Sequence, residues 1–229
     1  MEIARTVAYW IFVSCLPVLV ITSNICWGVS EIRLYEYGFD KYRISQATGI
    51  DELELKRIAQ HLIDYFNSKV DSAQVAVVKG GEEFDLFNER ELVHLQDVKS
   101  LIQLDYWVQR GFLAFIVICG FVLLLWLGSR WWILVRGLFW GSLATLALMV
   151  VLALWAIFGF EQLFLLFHLV SFSNEFWILN PAKDYLIMLF PESFFYDVAL
   201  FGFGAMILEA LLVGGIAFGT LRLVGWGNV

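Results

Sequence analysis

The chemistry this 229-residue chain offers is concentrated around two histidines. His94 is preceded by Arg90 and Glu91 and followed by Asp97. On a helix advancing about 100° per residue, Arg90, Glu91, His94, Asp97 and Asp105 share one sector with Val98 and Leu101. Glu89, Gln96, Lys99 and Gln103 point elsewhere. Imidazole has a reference pKa of about 6.5, so it takes or gives a proton near neutrality, and carboxylates at helical spacing can orient it. The same spacing also describes a surface ion-pair network. His168 sits between Phe167 and Leu169, with Ser171, Ser173 and Asn174 close behind. A lone histidine in apolar surroundings is more often a packing residue, so a catalytic and a structural reading of His168 stand side by side. His61 falls on the polar face of a helix with Glu54, Arg57 and Asp64, and is read as structural.

Other chemistries find less support. No HExxH-type spacing accompanies the histidines, so no metal and no cofactor are expected. Cys15, Cys26 and Cys119 all lie in apolar stretches and read as small buried hydrophobes. No activated serine or cysteine stands out as a nucleophile.

The elements that must position these residues follow from composition. Hydrophobic residues make up 60% of the chain and charged residues 16%, against about 25% charged in a soluble domain. This excludes disorder and an ordinary soluble enzyme, and points to a membrane protein. The net charge of −7 removes the basic face that nucleic acid requires, so no nucleic-acid partner is expected. Four apolar runs have the length of a membrane span: Val7 to Val29, Gly111 to Gly128, Gly137 to Phe160, and Ala199 to Leu221. The first is too long for a signal-peptide core and reads as a retained anchor. Arg130, Arg136 and Arg222 lie in short segments without acids, whereas Lys183 is outnumbered by Glu161, Glu175, Asp184, Glu192 and Asp197. The positive-inside rule then puts both termini in the cytoplasm, and residues 31–110 and 161–198 outside. Glu209 is the one carboxyl inside a span, a functional candidate or a packing residue. Gly215 and Gly219 have the spacing of a close helix contact.

The expected fold is mainly α: four transmembrane helices with a small extracellular α+β cap and a re-entrant or interfacial second outer loop. Residues 1–30 hold span 1, and 31–110 form the cap. Residues 111–160 hold spans 2 and 3 with a short basic inner loop. The apolar outer loop is 161–198, and 199–229 hold span 4 and the inner C-terminus. Within the cap, residues 51–67 predict an amphipathic helix, with Asp51 and Glu54 at capping-box spacing. Residues 74–87 predict a hairpin turning at Gly80–Gly81. Asn88 and Glu91 predict the start of a helix that runs into span 2. The 161–198 loop is strongly apolar and aromatic, so it should lie at the interface, with Trp177 and Tyr185 at headgroup depth and breaks at Pro181 and Pro191.

Three strings carry a family resemblance: FNERELVHLQDVK at 87–99, FHLVSFSNEFW at 167–177 and LNPAKDYLIMLFPESFFYD at 179–197. With the four-span plan, they resemble the bacterial membrane-bound lipoprotein intramolecular transacylases. The resemblance implies a multi-pass protein of a prokaryotic plasma membrane, with its active face extracellular. It implies movement of the sn-2 acyl chain of a diacylglyceryl lipoprotein to the α-amine of its N-terminal cysteine, giving a lyso-form product. The partners implied are diacylglyceryl-modified lipoproteins and membrane lipid. The family's histidines correspond to His94 and His168. On this reading His168 is the base and His94 the acid or orienting partner, with Asp97 or Glu91 fixing its tautomer, and these roles can be exchanged. Arg90 or Asn174 would donate to the oxyanion, and Trp177, Asn180 and Asp184 would bind substrate.

Two other readings stand beside it. A non-enzymatic membrane module would use the acidic cap to bind a lipid or protein partner. A transporter would rest on Glu209 and the glycines alone, without the broken-helix repeats such proteins use.

Overall fold

The computed structural model describes residues 2–127 and 131–225. In chain order they form α1 (Glu2–Ser30), α2 (Ile32–Lys41), α3 (Ile44–Thr48), α4 (Glu52–Phe66), β1 (Ala76–Lys79), β2 (Glu82–Asp85), α5 (Glu89–Leu127), α6 (Trp132–Ser171), α7 (Tyr185–Leu189) and α8 (Glu192–Val224). Of these, α1, α5, α6 and α8 are long and apolar enough to cross a bilayer. The fold is therefore mainly helical, with a single two-stranded sheet among the described residues. Arg130, one of the two arginines of the expected inner loop, lies outside the described residues.

The helices overrun the apolar runs that define them. α6 continues past residue 160 to Ser171, losing helical geometry only at Gly159 (φ −160°, ψ 49°). LFLLFHLVS contains no Gly or Pro to stop it, so much of the expected outer loop is helix, and His168 sits on it. α8 begins at Glu192 rather than near Ala199, directly after Pro191. Each of the four long helices contributes to two compact units, one made of Met1–Ile25, Tyr106–Trp155 and Phe201–Val229, the other of Cys26–Asp105 and Ala156–Leu200.

The first unit packs through small residues, as helices must where lipid removes the hydrophobic drive. A Cβ at Gly137 would stand 2.9 Å from the Phe12 ring, and one at Gly141 3.0 Å from Leu16, so α6 approaches α1 through these glycines. Gly214 does the same against Ser142 at 3.1 Å. The expected contact at Gly215 and Gly219 is not made: a Cβ at either meets nothing within 4 Å among the described residues. Gly215 lies about 100° around the helix from Gly214, enough to turn it away from that contact. Glu209 has a mate that hydropathy did not reveal, because Asn24 Nδ2 donates to its Oε2 at 2.9 Å. The pair ties α1 to α8. Glu209→Gln, which keeps an acceptor, is expected to leave stability unchanged. Glu209→Leu is expected to cost about 1 kcal/mol, the scale of interhelical hydrogen bonds in membranes. Denaturation in detergent micelles measures both, and equal loss in the two variants would contradict a purely hydrogen-bonding role.

The second unit holds the cap elements. α4 buries Leu55, Ile58, Ala59, Leu62, Ile63 and Phe66 on one face. Its N-cap is Asp51, whose side chain accepts from Leu53 N at 2.8 Å. Glu54 does not complete the capping box; it pairs with Arg57 at 2.6 Å instead. The His61 ring donates from Nε2 to Ser72 O at 3.0 Å, a structural bond. β1 and β2 pair antiparallel with Val77 opposite Phe84. Gly80 and Gly81 both take positive φ, 63° and 90°, as a two-residue hairpin of the primed type requires. Such a hairpin is marginal alone, and Val77, fully buried, anchors it. α2 and α3 carried no distinct signal. α2 is held to the first turns of α8: a Cβ at Gly38 would collide with the Phe194 ring, and Asp197 accepts from Lys41 Nζ at 2.6 Å. Hydrogen bonding to Asp197, then to Tyr37, holds the Lys41 ammonium above its ordinary pKa.

Candidate active site

α5 starts as its first residues dictate. Asn88 Oδ1 accepts from Glu91 N at 3.1 Å, and Glu91 Oε2 accepts from Asn88 N at 2.8 Å, a reciprocal capping box. Glu91 is only 1% exposed. Its other oxygen accepts from Leu186 N at 2.6 Å, so one carboxylate holds α7 to the head of α5. Glu91→Ala would strand these backbone N–H groups in a buried place. The expected cost is about 3 kcal/mol, the upper range for charge-assisted bonds, with Glu91→Gln recovering part of it. Thermal unfolding of the purified variants checks the order.

One turn further along, His94 is 7% exposed, and His168, near the end of α6, is 8% exposed. Their ring centroids lie 6.2 Å apart with planes inclined by 31°. Aromatic rings enclose them. Phe164, Trp177, Phe167 and Phe172 stand 4.3, 4.9, 5.4 and 5.6 Å from His168. Phe172 also meets His94 edge-on at 5.0 Å. Such a cage excludes water and strengthens any hydrogen bond made inside it.

The two imidazoles differ in what they have left to offer. His168 Nδ1 lies 2.8 Å from Phe164 O. A carbonyl only accepts, so Nδ1 carries the hydrogen and Nε2 the lone pair. His94 Nδ1 is buried with no hydrogen-bond partner. It is the only such side-chain atom among the described residues of the second unit; the other two, Tyr9 Oη and Ser142 Oγ, belong to the first. A buried unmet polar atom costs stability.

The other site residues expected from sequence divide into two sets. Asp97 and Glu91 share a sector with His94, yet neither hydrogen-bonds its ring. Asp97 accepts from Asn174 Nδ2 at 2.8 Å, and Glu91 is spent on backbone N–H groups. The charged sector is thus no ion-pair network: Arg90 donates to Glu175 O at 2.6 Å, and Asp105 accepts from Cys26 Sγ at 3.2 Å. Asn174 fixes its loop, its Oδ1 accepting from Phe176 N at 3.0 Å. Trp177 covers the His168 ring, its plane inclined by 35° to it. Asp184, 3% exposed, accepts from Asn88 Nδ2 at 3.0 Å and from Asn180 N at 2.6 Å. Asn180 and Asp184 line a cavity of about 460 Å³ together with Asn88, Arg90, Ile178, Leu179 and Lys183. Sequence reasoning missed Phe164, whose carbonyl holds His168 Nδ1, and Phe172, which packs against both rings. The i−4 spacing from His168 was the available sign of the first. No three His, Cys, Asp or Glu among the described residues are grouped to hold a metal ion.

A protein with four helices fit to cross a membrane and two caged imidazoles suits acid–base chemistry. The comparisons with known proteins make that class specific. The family described as lipoprotein intramolecular transacylase Lit matches residues 10–195, and the chain belongs to this family. It is an acyltransferase family, so the chain is read as an enzyme rather than a passive binding module. No curated protein matches the chain. Solved structures share its fold. The membrane integral lipoprotein intramolecular transacylase Lit from Bacillus cereus is 23% identical, with a TM-score of 0.77 over 97% of this chain and 96% of that one. The same protein with a histidine-to-arginine mutation is 21% identical, with a TM-score of 0.77 over 99% and 96%. With a histidine-to-alanine mutation the values are 22% and 0.74 over 96% and 95%.

Proposed function

We propose that this chain moves the sn-2 acyl chain of a diacylglyceryl lipoprotein onto the α-amine of the same molecule's N-terminal cysteine. The observation that carries the reading is the complementary state of the two caged imidazoles. His168 presents a lone pair at Nε2, and His94 presents an unmet Nδ1.

Donor ester and acceptor amine are already tethered in the substrate, so much of the proximity advantage is built in. The neutral amine attacks the ester carbonyl, forming the C–N bond and a tetrahedral oxyanion. His168 Nε2 takes the proton that the nitrogen sheds. The C–O bond to glycerol then breaks, and the imidazolium of His168 returns that proton to the departing oxygen. The proton count closes on one residue, with amide and free hydroxyl as products. His94 donates from Nδ1–H to the oxyanion. A reference α-amine pKa of about 7.7–8.0 leaves a usable neutral fraction near pH 7. Phe164 O fixes the tautomer of His168, and Trp177 and Phe172 fix its plane. Asp97 and Asn174 position the loop behind it, and Asn180 and Asp184 shape the neighbouring cavity.

In this reading the protein sits in a prokaryotic plasma membrane with both termini cytoplasmic and the histidines on the outer face. Support comes from the basic Arg136 and Arg222 against the acidic 161–198 segment. Exposed Phe167, Leu169, Val170, Phe176 and Ile178 around the site suit contact with lipid. The test is mass spectrometry of lipoprotein N-termini in a host without other N-acylation. Lyso-form N-acyl product appearing only with this protein supports the reading, and unmodified diacylglyceryl cysteine with free amine overturns it.

A further inference from the structure

The cavity lined by Asn88, Arg90, Ile178, Leu179, Asn180, Lys183 and Asp184 lies beside the histidine pair but is not used by the reaction just described. Its two walls lead to that pair. Arg90 is one turn before His94 on α5, about 6 Å along the axis. Ile178 and Leu179 follow Trp177, whose ring covers His168.

The cavity lining carries two cations, Arg90 and Lys183, and one carboxylate, Asp184. Both oxygens of Asp184 are occupied by Asn88 Nδ2 and Asn180 N. Arg90 spends one N–H on Glu175 O and keeps its remaining donors. Lys183 is exposed and enters no ion pair among the described residues. The lining is therefore net positive, with two cations against one carboxylate whose oxygens already accept hydrogen bonds.

Direction along α5 decides what reaches this place. Toward its C-terminus the helix becomes the apolar span, so acyl chains follow that way. Toward its N-terminus it ends at Arg90 and Asn88, and the polar remainder of the substrate leaves by that route. An extended chain covers about 3.3–3.6 Å per residue. Six ångströms beyond the reacting cysteine then corresponds to about the next two residues.

We propose that this cavity receives the lipoprotein polypeptide immediately after its acylated cysteine, and that Arg90 and Lys183 make it prefer acidic over basic residues there. The assignment rests on the reaction proposed above and adds a sequence preference to it. The probes are three synthetic diacylglyceryl-cysteinyl lipopeptides, alike except for two aspartates, two serines or two lysines at the first and second positions after the cysteine. With the purified full-length protein in micelles, kcat/KM for the aspartate peptide is expected to exceed that for the lysine peptide by about fivefold, the scale of an exposed charge pair. The difference falls on KM and shrinks with added salt. Lys183→Glu is expected to bring the ratio to one or below, and Lys183→Gln to an intermediate value. The Lys183 side chain makes no hydrogen bond or ion pair among the described residues, and its backbone bond to Asn180 O does not depend on the side chain, so these variants should fold. An unchanged ratio in Lys183→Glu and in Arg90→Gln overturns the cavity assignment while the reaction stands. No conversion of any peptide by the unmodified protein overturns the reaction, and this assignment with it.

Discussion

His168→Ala is expected to lower formation of N-acyl lipoprotein by about 10²- to 10⁴-fold, the range for losing a positioned general base. The protein should still insert, because α6 keeps its apolar length. Alanine alone does not separate chemistry from packing, since it empties the space between Phe164 and Trp177. His168→Asn makes the separation. Its amide can still donate toward Phe164 O and fill part of the cage, but it has no lone pair of suitable basicity. It should therefore be as inactive as alanine. Conversion by His168→Asn within a few-fold of the unmodified protein would remove His168 as base. The readout is the mass of lipoprotein N-termini, with membrane abundance of each variant measured alongside.

His94→Ala is expected to cost about 10²- to 10³-fold, the effect of removing one oxyanion donor. Here asparagine should behave differently. Its side-chain amide places a donor close to where Nδ1 of the histidine stands, so His94→Asn should recover part of the loss. The ordering asparagine above alanine at 94, and equality of the two at 168, is the signature of donor and base. The opposite ordering would exchange the roles. The His94→Ala, His168→Ala double variant should be little worse than His168→Ala, because residues acting on one transition state are strongly non-additive. Multiplicative losses would mean that the two rings serve separate steps.

How far local patterns reach is seen best at the head of α5. Asn88 and Glu91 are three residues apart, and that spacing alone dictates a capping box, which forms as expected. Glu91 then does something no spacing indicates, because its second oxygen holds Leu186, far along the chain. A carboxylate read as an orienting group for His94 is therefore a buried clamp. The same applies to Asp97, whose bond goes to Asn174. Helical wheels sort side chains by direction, but not by which distant backbone donor claims them first.

Hydropathy and charge, read residue by residue, were enough to establish four spans, a mainly helical chain, a hairpin at Gly80–Gly81 and the two histidines worth attention. These rest on local physics: apolar length against bilayer thickness, caps, and turn residues that accept positive φ. They could not establish that His94 and His168 lie 6.2 Å apart in one aromatic cage, or that Glu209 faces Asn24. They also left open that Phe164 O would take up Nδ1 of His168. Those depend on contacts between residues distant in sequence, and on where α6 ends, which the apolar run itself does not mark. The histidines were visible because of what they are. The division into base and donor that we propose rests on the Phe164 carbonyl and on the unpartnered Nδ1 of His94, and only packing sets those.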